Sequence, residues 1–211
     1  MIAQVELLHQ LLDRIVDCYL GVKTCKTEIL SENRSIHYAY EPTHYWHLKE
    51  MFKQYPFNAE DHLVDMGCGK GRVVLISALM GCPRVTGIDI SPKMIDIAIK
   101  NMNKLKAKHL NALTYKLICC DAQSLTIDDN YNKFFFFNPF HLKVFIHIIN
   151  KIVSSLHNNN RKIVLFLYYP TTATLQYLSS IKEFYITRMG NSQMIFTAES
   201  REISQGHNPS A

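Results

Sequence analysis

No C-x-x-C pair occurs among the six cysteines, Cys18, Cys25, Cys68, Cys82, Cys119 and Cys120. Two of them stand side by side in an apolar run, and the set reads as reduced, mostly buried small hydrophobes. No stretch reaches the ~18 apolar residues of a membrane span. The opening MIAQVELLHQLLDRIVDCYL carries acids through its apolar pattern and lacks a basic start and a small-residue cleavage site, so it does not read as a secretion signal. Charge is thin as well: 19% of residues are charged and the net charge is +5. That basic excess would help an acidic partner arrive but does not demand nucleic acid. Much of it lies in KNMNKLKAKH, residues 100–109, expected to be the wet face and end of a helix. Repeats and low-complexity segments are missing, and only the tail 204–211 is expected to be disordered. The expectation is a cytoplasmic protein that avoids membranes.

What is present is an apolar fraction of 47% in 211 residues, enough for one full core. An amphipathic helix comes first, with Leu7, Leu8, Leu11, Leu12, Ile15 and Val16 at helical spacing. After a polar stretch, YAYEPTHYWHLKEMF leads into a second helix opened by Pro42 and Thr43. From residue 62 short apolar runs alternate with helical patterns: HLVDM, GRVVLISALM, RVTGIDI, SPKMIDIAIKNMNKL, YKLICCDA, FFFFN, HLKVFIHIINKIVSSL, RKIVLFLYY, TATLQYLSSI. EFYITRM and QMIFTAES close the chain around the turn Gly190-Asn191-Ser192. The pattern predicts an α/β fold: a seven-stranded, mostly parallel, doubly wound sheet with a C-terminal antiparallel strand pair and an N-terminal helical extension. The organisation expected is an extension or lid over 1–45, one domain over 46–203, and the tail.

LVDMGCGKGR, residues 63–72, places Gly67, Gly69 and Gly71 between a strand and a helix. Glycines there allow a sharp bend and close approach of a ligand to a helix N-terminus. The bland reading is a plain strand-to-helix turn. Asp89 ends the second strand about 20 residues on, where an acid can accept from ribose hydroxyls, and Asp121 ends the third. A dinucleotide pattern would need a third glycine where Arg72 stands, and a pyrophosphate would not welcome Asp65. A ligand bearing an ammonium group would. A nicotinamide-dependent oxidoreductase is therefore disfavoured.

With Asp65, Gly67, Gly69 and Gly71 in D-x-G-x-G-x-G spacing, the sequence resembles the class I S-adenosylmethionine-dependent methyltransferases over residues 38–199. The resemblance implies S-adenosylmethionine as cofactor. It implies Asp65 and the glycines near its methionine part, Asp89 with Ile90 at the ribose, and Asp121 with Ala122 at the adenine. Tyr40-Glu41-Pro42-Thr43 resembles a Y-x-P-[ST] lid element of the same superfamily, which makes Tyr40 and Thr43, with Tyr45, candidates for the pocket wall. An aromatic cluster there is equally compatible with packing between helix and sheet.

The run KFFFFNPFH, residues 133–141, ends where this fold brings substrate to cofactor. Asn138-Pro139-Phe140 resembles a shortened [DN]-P-P-[FYW] motif of methyltransferases acting on exocyclic amino groups of bases or the glutamine amide. It lacks the second proline. The Asn138 side chain and Pro139 carbonyl could accept protons from an amine, Phe140 could pack on a flat group, and His141 could serve as base or substrate contact. The alternative is that the phenylalanines are core and Asn138 caps the next helix. His44-x-x-His47 invites a metal reading, but no third ligand is spaced to join it, and none is expected. The function expected is methyl transfer to a nitrogen nucleophile on a protein side chain, a small-molecule amine or an RNA base. A non-catalytic cofactor-binding subunit or sensor is the alternative.

Overall fold

The computed structural model describes residues 2–27, 40–109, 114–137, 141–190 and 192–199. Seven strands form one sheet: β1 (His62–Met66), β2 (Arg84–Asp89), β3 (Thr114–Cys119), β4 (Lys133–Phe137), β5 (Ile163–Tyr168), β6 (Phe184–Met189) and β7 (Gln193–Ala198). Their order is β3-β2-β1-β4-β5-β7-β6. The first five run parallel, and β7 lies antiparallel between β5 and β6. The sheet grows outward on both sides of β1 and β4. In open α/β sheets a ligand crevice opens at the carboxyl ends of the strands at such a reversal.

Six helices pack around the sheet: α1 (Ile2–Leu20), α2 (Tyr45–Gln54), α3 (Arg72–Leu79), α4 (Pro92–His109), α5 (Leu142–Asn158) and α6 (Thr172–Ser180). Successive strand side chains alternate between faces, so the phenylalanine run feeds two cores. Phe135 joins Leu63 and Phe166 under Leu48, Met51 and Phe52 of α2, Leu75 of α3 and Met102 of α4. Phe134 and Phe136 join Val64, Leu165 and Leu167 under Phe145, Ile148 and Ile152 of α5 and Leu178 of α6. At the amino end of β4 the buried Lys133 ammonium meets Asp61 at 3.0 Å and lies 5.0 Å from the Tyr55 ring centroid. A buried charge is tolerated there because it is paired. No helix among the described residues is long and apolar enough to cross a membrane.

Several expectations are corrected. The second helix starts at Tyr45, with His44 as its N-cap, not at Pro42. Two of the six cysteines are buried, Cys68 and Cys82, whereas Cys18 and Cys119 are exposed. The largest difference is in α1. Leu7, Leu8, Leu11, Leu12 and Ile15 face solvent at 44–68% exposure, while Asp13 and Asp17 are buried. The apolar stripe points outward because the body offers α1 a buried guanidinium, Arg72, whose charge needs carboxylate and carbonyl partners more than the leucines need cover.

Candidate functional site

The turn after β1 is built from left-handed backbone. Gly67, Gly69 and Gly71 have φ of 98°, 50° and 82°, a region that L side chains rarely adopt. The amides of Gly67 and Cys68 both donate to the Ile88 carbonyl of β2, at 3.0 and 2.7 Å, so the loop is tied to the neighbouring strand. Gly71 is the N-cap of α3, and a Cβ there would come within 3.1 Å of the Ala98 Cβ of α4. Asp89, at the end of β2, accepts from the Gly69 amide at 2.8 Å through one oxygen and from the Ser91 amide at 2.8 Å through the other. One acid thus sets the shape of the loop at the carboxyl end of β2.

Two buried side-chain atoms among the described residues have no hydrogen-bond partner: Asp65 Oδ2 and Thr43 Oγ1. Leaving a buried polar atom unpaired costs roughly 1–3 kcal/mol, and such an atom calls for a missing partner. Burial, with Asp89's charge added, pushes the Asp65 carboxyl well above its ordinary range. A cationic group beside Asp65 would reverse that. These two atoms belong to the residues expected at the methionine part of the cofactor and at the pocket wall, so the site fits an S-adenosylmethionine with its ammonium.

The third strand contributes more modestly. Asp121 caps a short 3-10 turn, Ala122–Ser124, by accepting from the Gln123 amide at 2.8 Å. Ala122 is buried at 7% exposure, and Ile90, next to Asp89, is 51% exposed. An apolar side chain open to solvent at the sheet's carboxyl edge is available to a flat ligand.

Residues ahead of the sheet fold over the loop. The Tyr40 hydroxyl donates to the Thr24 carbonyl at 2.8 Å, and its ring sits against Gly69 and 4.9 Å from the Lys70 ammonium. Arg72 Nη1 donates to Asp13 Oδ2 at 2.5 Å and to the Thr43 carbonyl at 3.0 Å; its Nε donates to Thr24 Oγ1 at 2.7 Å. The guanidinium carbon lies 4.3 Å from the Tyr45 ring centroid. Asp17 completes the seam, accepting from the Thr24 and Cys25 amides at 2.5 and 3.0 Å and from the Tyr45 hydroxyl at 2.7 Å. Sequence reasoning missed Asp13, Asp17 and Thr24, and gave Arg72 only a negative role. The available signal was Asp13 and Asp17, two acids one turn apart in the more apolar half of the helix.

Asn138, Pro139 and Phe140 lie outside the described residues. The helix that follows them has His141 as its N-cap, without a side-chain cap bond, and the capping alternative for Asn138 lies outside the described residues with it. Their immediate neighbour Phe137 stacks edge-on with Tyr168 at 5.0 Å and tilts against Tyr169 at 6.2 Å. Tyr169 holds a left-handed φ of 50° and donates its amide to the Ser192 carbonyl at 2.8 Å. This aromatic group at the carboxyl ends of β4 and β5 was also missed, since RKIVLFLYY read only as a strand.

Residues 63–159 match the profile of the methyltransferase domain family. No curated protein sequence matches the chain significantly. Among solved structures, a human methyltransferase 10 domain containing protein superposes with a TM-score of 0.57 at 11% identity, over 92% of this chain and 97% of that one. An rRNA methylase from Streptococcus thermophilus gives 0.54 at 14% identity, over 77% and 100%. An RNA methyltransferase from Salinibacter ruber, solved in complex with S-adenosyl-L-homocysteine, gives 0.51 at 17%, over 78% and 97%. Residues 63–159 thus carry the match to the methyltransferase-domain profile, and the 3-2-1-4-5-7-6 sheet gives the chain the fold that these structures share.

Proposed function

We propose that the protein transfers a methyl group from S-adenosylmethionine to a nitrogen nucleophile, with residues 1–45 acting as a lid over the cofactor loop. The observation that carries this is the buried, unpartnered Asp65 Oδ2 beside the left-handed glycine turn. When bound, the cofactor supplies an electrophilic methyl on a positively charged sulfur. Asp65 would hold the ammonium, Asp89 and Ile90 the ribose side, Asp121 and Ala122 the adenine side, and Tyr40 and Thr43 the wall under the lid. The chain's own contribution is alignment and exclusion of water. Asn138 and the Pro139 carbonyl would accept hydrogen bonds from the incoming amine, Phe140 would pack on its flat group, and His141 or solvent would take the proton that the nitrogen releases.

An RNA base amino group is the acceptor best supported: two of the structures that share this fold are described as RNA or rRNA methylases, and the net charge is positive. Protein side chains and small amines follow. The free cysteines fit the reducing cytoplasm.

The test is calorimetry of the purified protein with S-adenosylmethionine, S-adenosylhomocysteine and a reduced nicotinamide dinucleotide, followed by transfer of a radiolabelled methyl to total RNA, protein and small-molecule fractions. Binding of the first two with label entering RNA is expected, and Asn138→Ala should lower turnover while keeping cofactor affinity. Nicotinamide binding alone overturns the cofactor. Tight cofactor binding with no labelled fraction would favour a sensor.

A further inference from the structure

We propose that Glu6, His9 and His44 form a binding site for a divalent transition-metal ion, zinc by ligand type, which fastens α1 to the start of α2. One ligand atom from each of the three residues lies within 4.8 Å of the others. Ligands at the corners of a zinc tetrahedron stand about 3.3 Å apart, so rotamer adjustment alone closes the set. Glu6 and His9 are three residues apart on one helical face, and His44 arrives from the N-cap of α2. The sequence could not show this, because Glu6 and His9 lie more than thirty positions from His44 along the chain; spacing within 44–47 alone suggested no convergence.

The arrangement of charges suits a cation, a proton on His44 or a metal in its place. His44 sits between two carboxylates: Nδ1 is 2.8 Å from Asp13 Oδ2 and Nε2 is 2.9 Å from Glu6 Oε1. Asp13 is fixed in place by Arg72 and by the Tyr45 amide at 3.0 Å. With the Nδ1 proton directed at Asp13, the Nε2 lone pair faces Glu6, and two acceptors face each other unless a proton or a metal lies between them. A carboxylate holding the far nitrogen of a histidine is also the arrangement that orients metal-bound imidazoles and raises their basicity. His47 packs edge-on against both partners, with ring centroids 5.2 Å from His9 and 5.7 Å from His44, and its Nδ1 is engaged by the Tyr168 hydroxyl. Two imidazoles and a carboxylate suit zinc and disfavour magnesium or calcium, which prefer all-oxygen sets. Three protein ligands leave a fourth position for water. Because the site joins α1 to the start of α2, its role is to hold the extension in place.

The experiment is calorimetric titration of chelator-treated, full-length protein with zinc chloride and with magnesium chloride, alongside visible spectra of the cobalt(II) form. Expected are saturation at about one equivalent of zinc, no heat from magnesium, and the intense visible bands of four-coordinate cobalt. Glu6→Gln and His9→Ala should each abolish the saturable step, and His157→Ala should leave it unchanged. Because His9 is half-exposed and meets His44 and His47 only through ring contacts, His9→Ala should keep the metal-free melting temperature of the parent, which separates loss of binding from loss of fold. Absence of saturable zinc binding, or binding that survives both variants, overturns the site.

Discussion

The ring of Tyr40 lies so close to Gly69 that a Cβ on that glycine would stand 2.3 Å from Cε2 and 2.4 Å from Cδ2. Tyr40 and the glycine loop therefore touch at a point where only hydrogen fits. Gly69→Ala should displace the ring and strain a φ of +50°, costing roughly 1–3 kcal/mol of stability and at least as much in cofactor affinity. Chemical denaturation and calorimetry read the two. Tyr40→Phe, which loses only the bond to the Thr24 carbonyl, should cost about 0.5–1.5 kcal/mol.

Arg72 and Asp13 are 2% and 5% exposed. Removing one member of such a pair strands the other charge, so Asp13→Ala or Arg72→Met should each cost about 3–5 kcal/mol. In a double-mutant cycle the combined variant should lose far less than the sum. A purely additive result would mean that the pair contributes nothing as a pair.

Asp65 should trade stability for binding. A carboxyl whose folded pKa is raised above its ordinary 3.8 binds its proton more tightly in the folded state, so its contribution to stability falls as pH rises above that value. Asp65→Asn should then raise the melting temperature of the ligand-free protein at pH 7 while costing cofactor binding about 2–5 kcal/mol. A variant that melts lower and binds unchanged would remove Asp65 from the site.

His44 predicts a slope of stability with pH. Its bond to Asp13, then that to Glu6, raises its pKa above the ordinary 6.5. A histidine with a raised folded pKa contributes stability that is full below 6.5 and is lost as pH climbs through the folded value. The groups facing it are Glu6, Asp13, His9 and His47; burial lowers the pKa of His47, which keeps that ring neutral. In metal-free protein, melting temperatures above pH 6.5 should decline with pH, and His44→Ala should flatten the decline.

The seven strands were legible because each is a short apolar run between helical patterns, and β5, buried at every position, reads as a parallel strand without reference to anything else. The glycine loop and Asp89 were legible because their spacing follows from what a tight turn and a sugar require. The environment of α1 was not. Helical periodicity places Leu8 and Leu12 on one side and Asp13 and Asp17 on another, but which side meets the body depends on Arg72, 59 positions away from Asp13. Pattern reasoning assigns the apolar stripe inward by default; a single buried guanidinium reverses it. The histidine cluster stayed hidden for the same reason, since its members meet only after α1 has docked.

That separation of 59 residues also orders events in time. During synthesis α1 precedes the sheet, and Asp13 has no Arg72 to pair with until the turn after β1 has been built. Contacts of such long span pay their loop-closure entropy before they are rewarded, so α1 docks late, and it docks onto a finished glycine loop. Trp46, the single tryptophan, lies beside His9 and Leu12 and would report that event: refolding followed by its fluorescence should lag the helical signal, and the lag should vanish in Asp13→Ala. Docking of α1 is thereby a late step, and it closes the seam around Arg72.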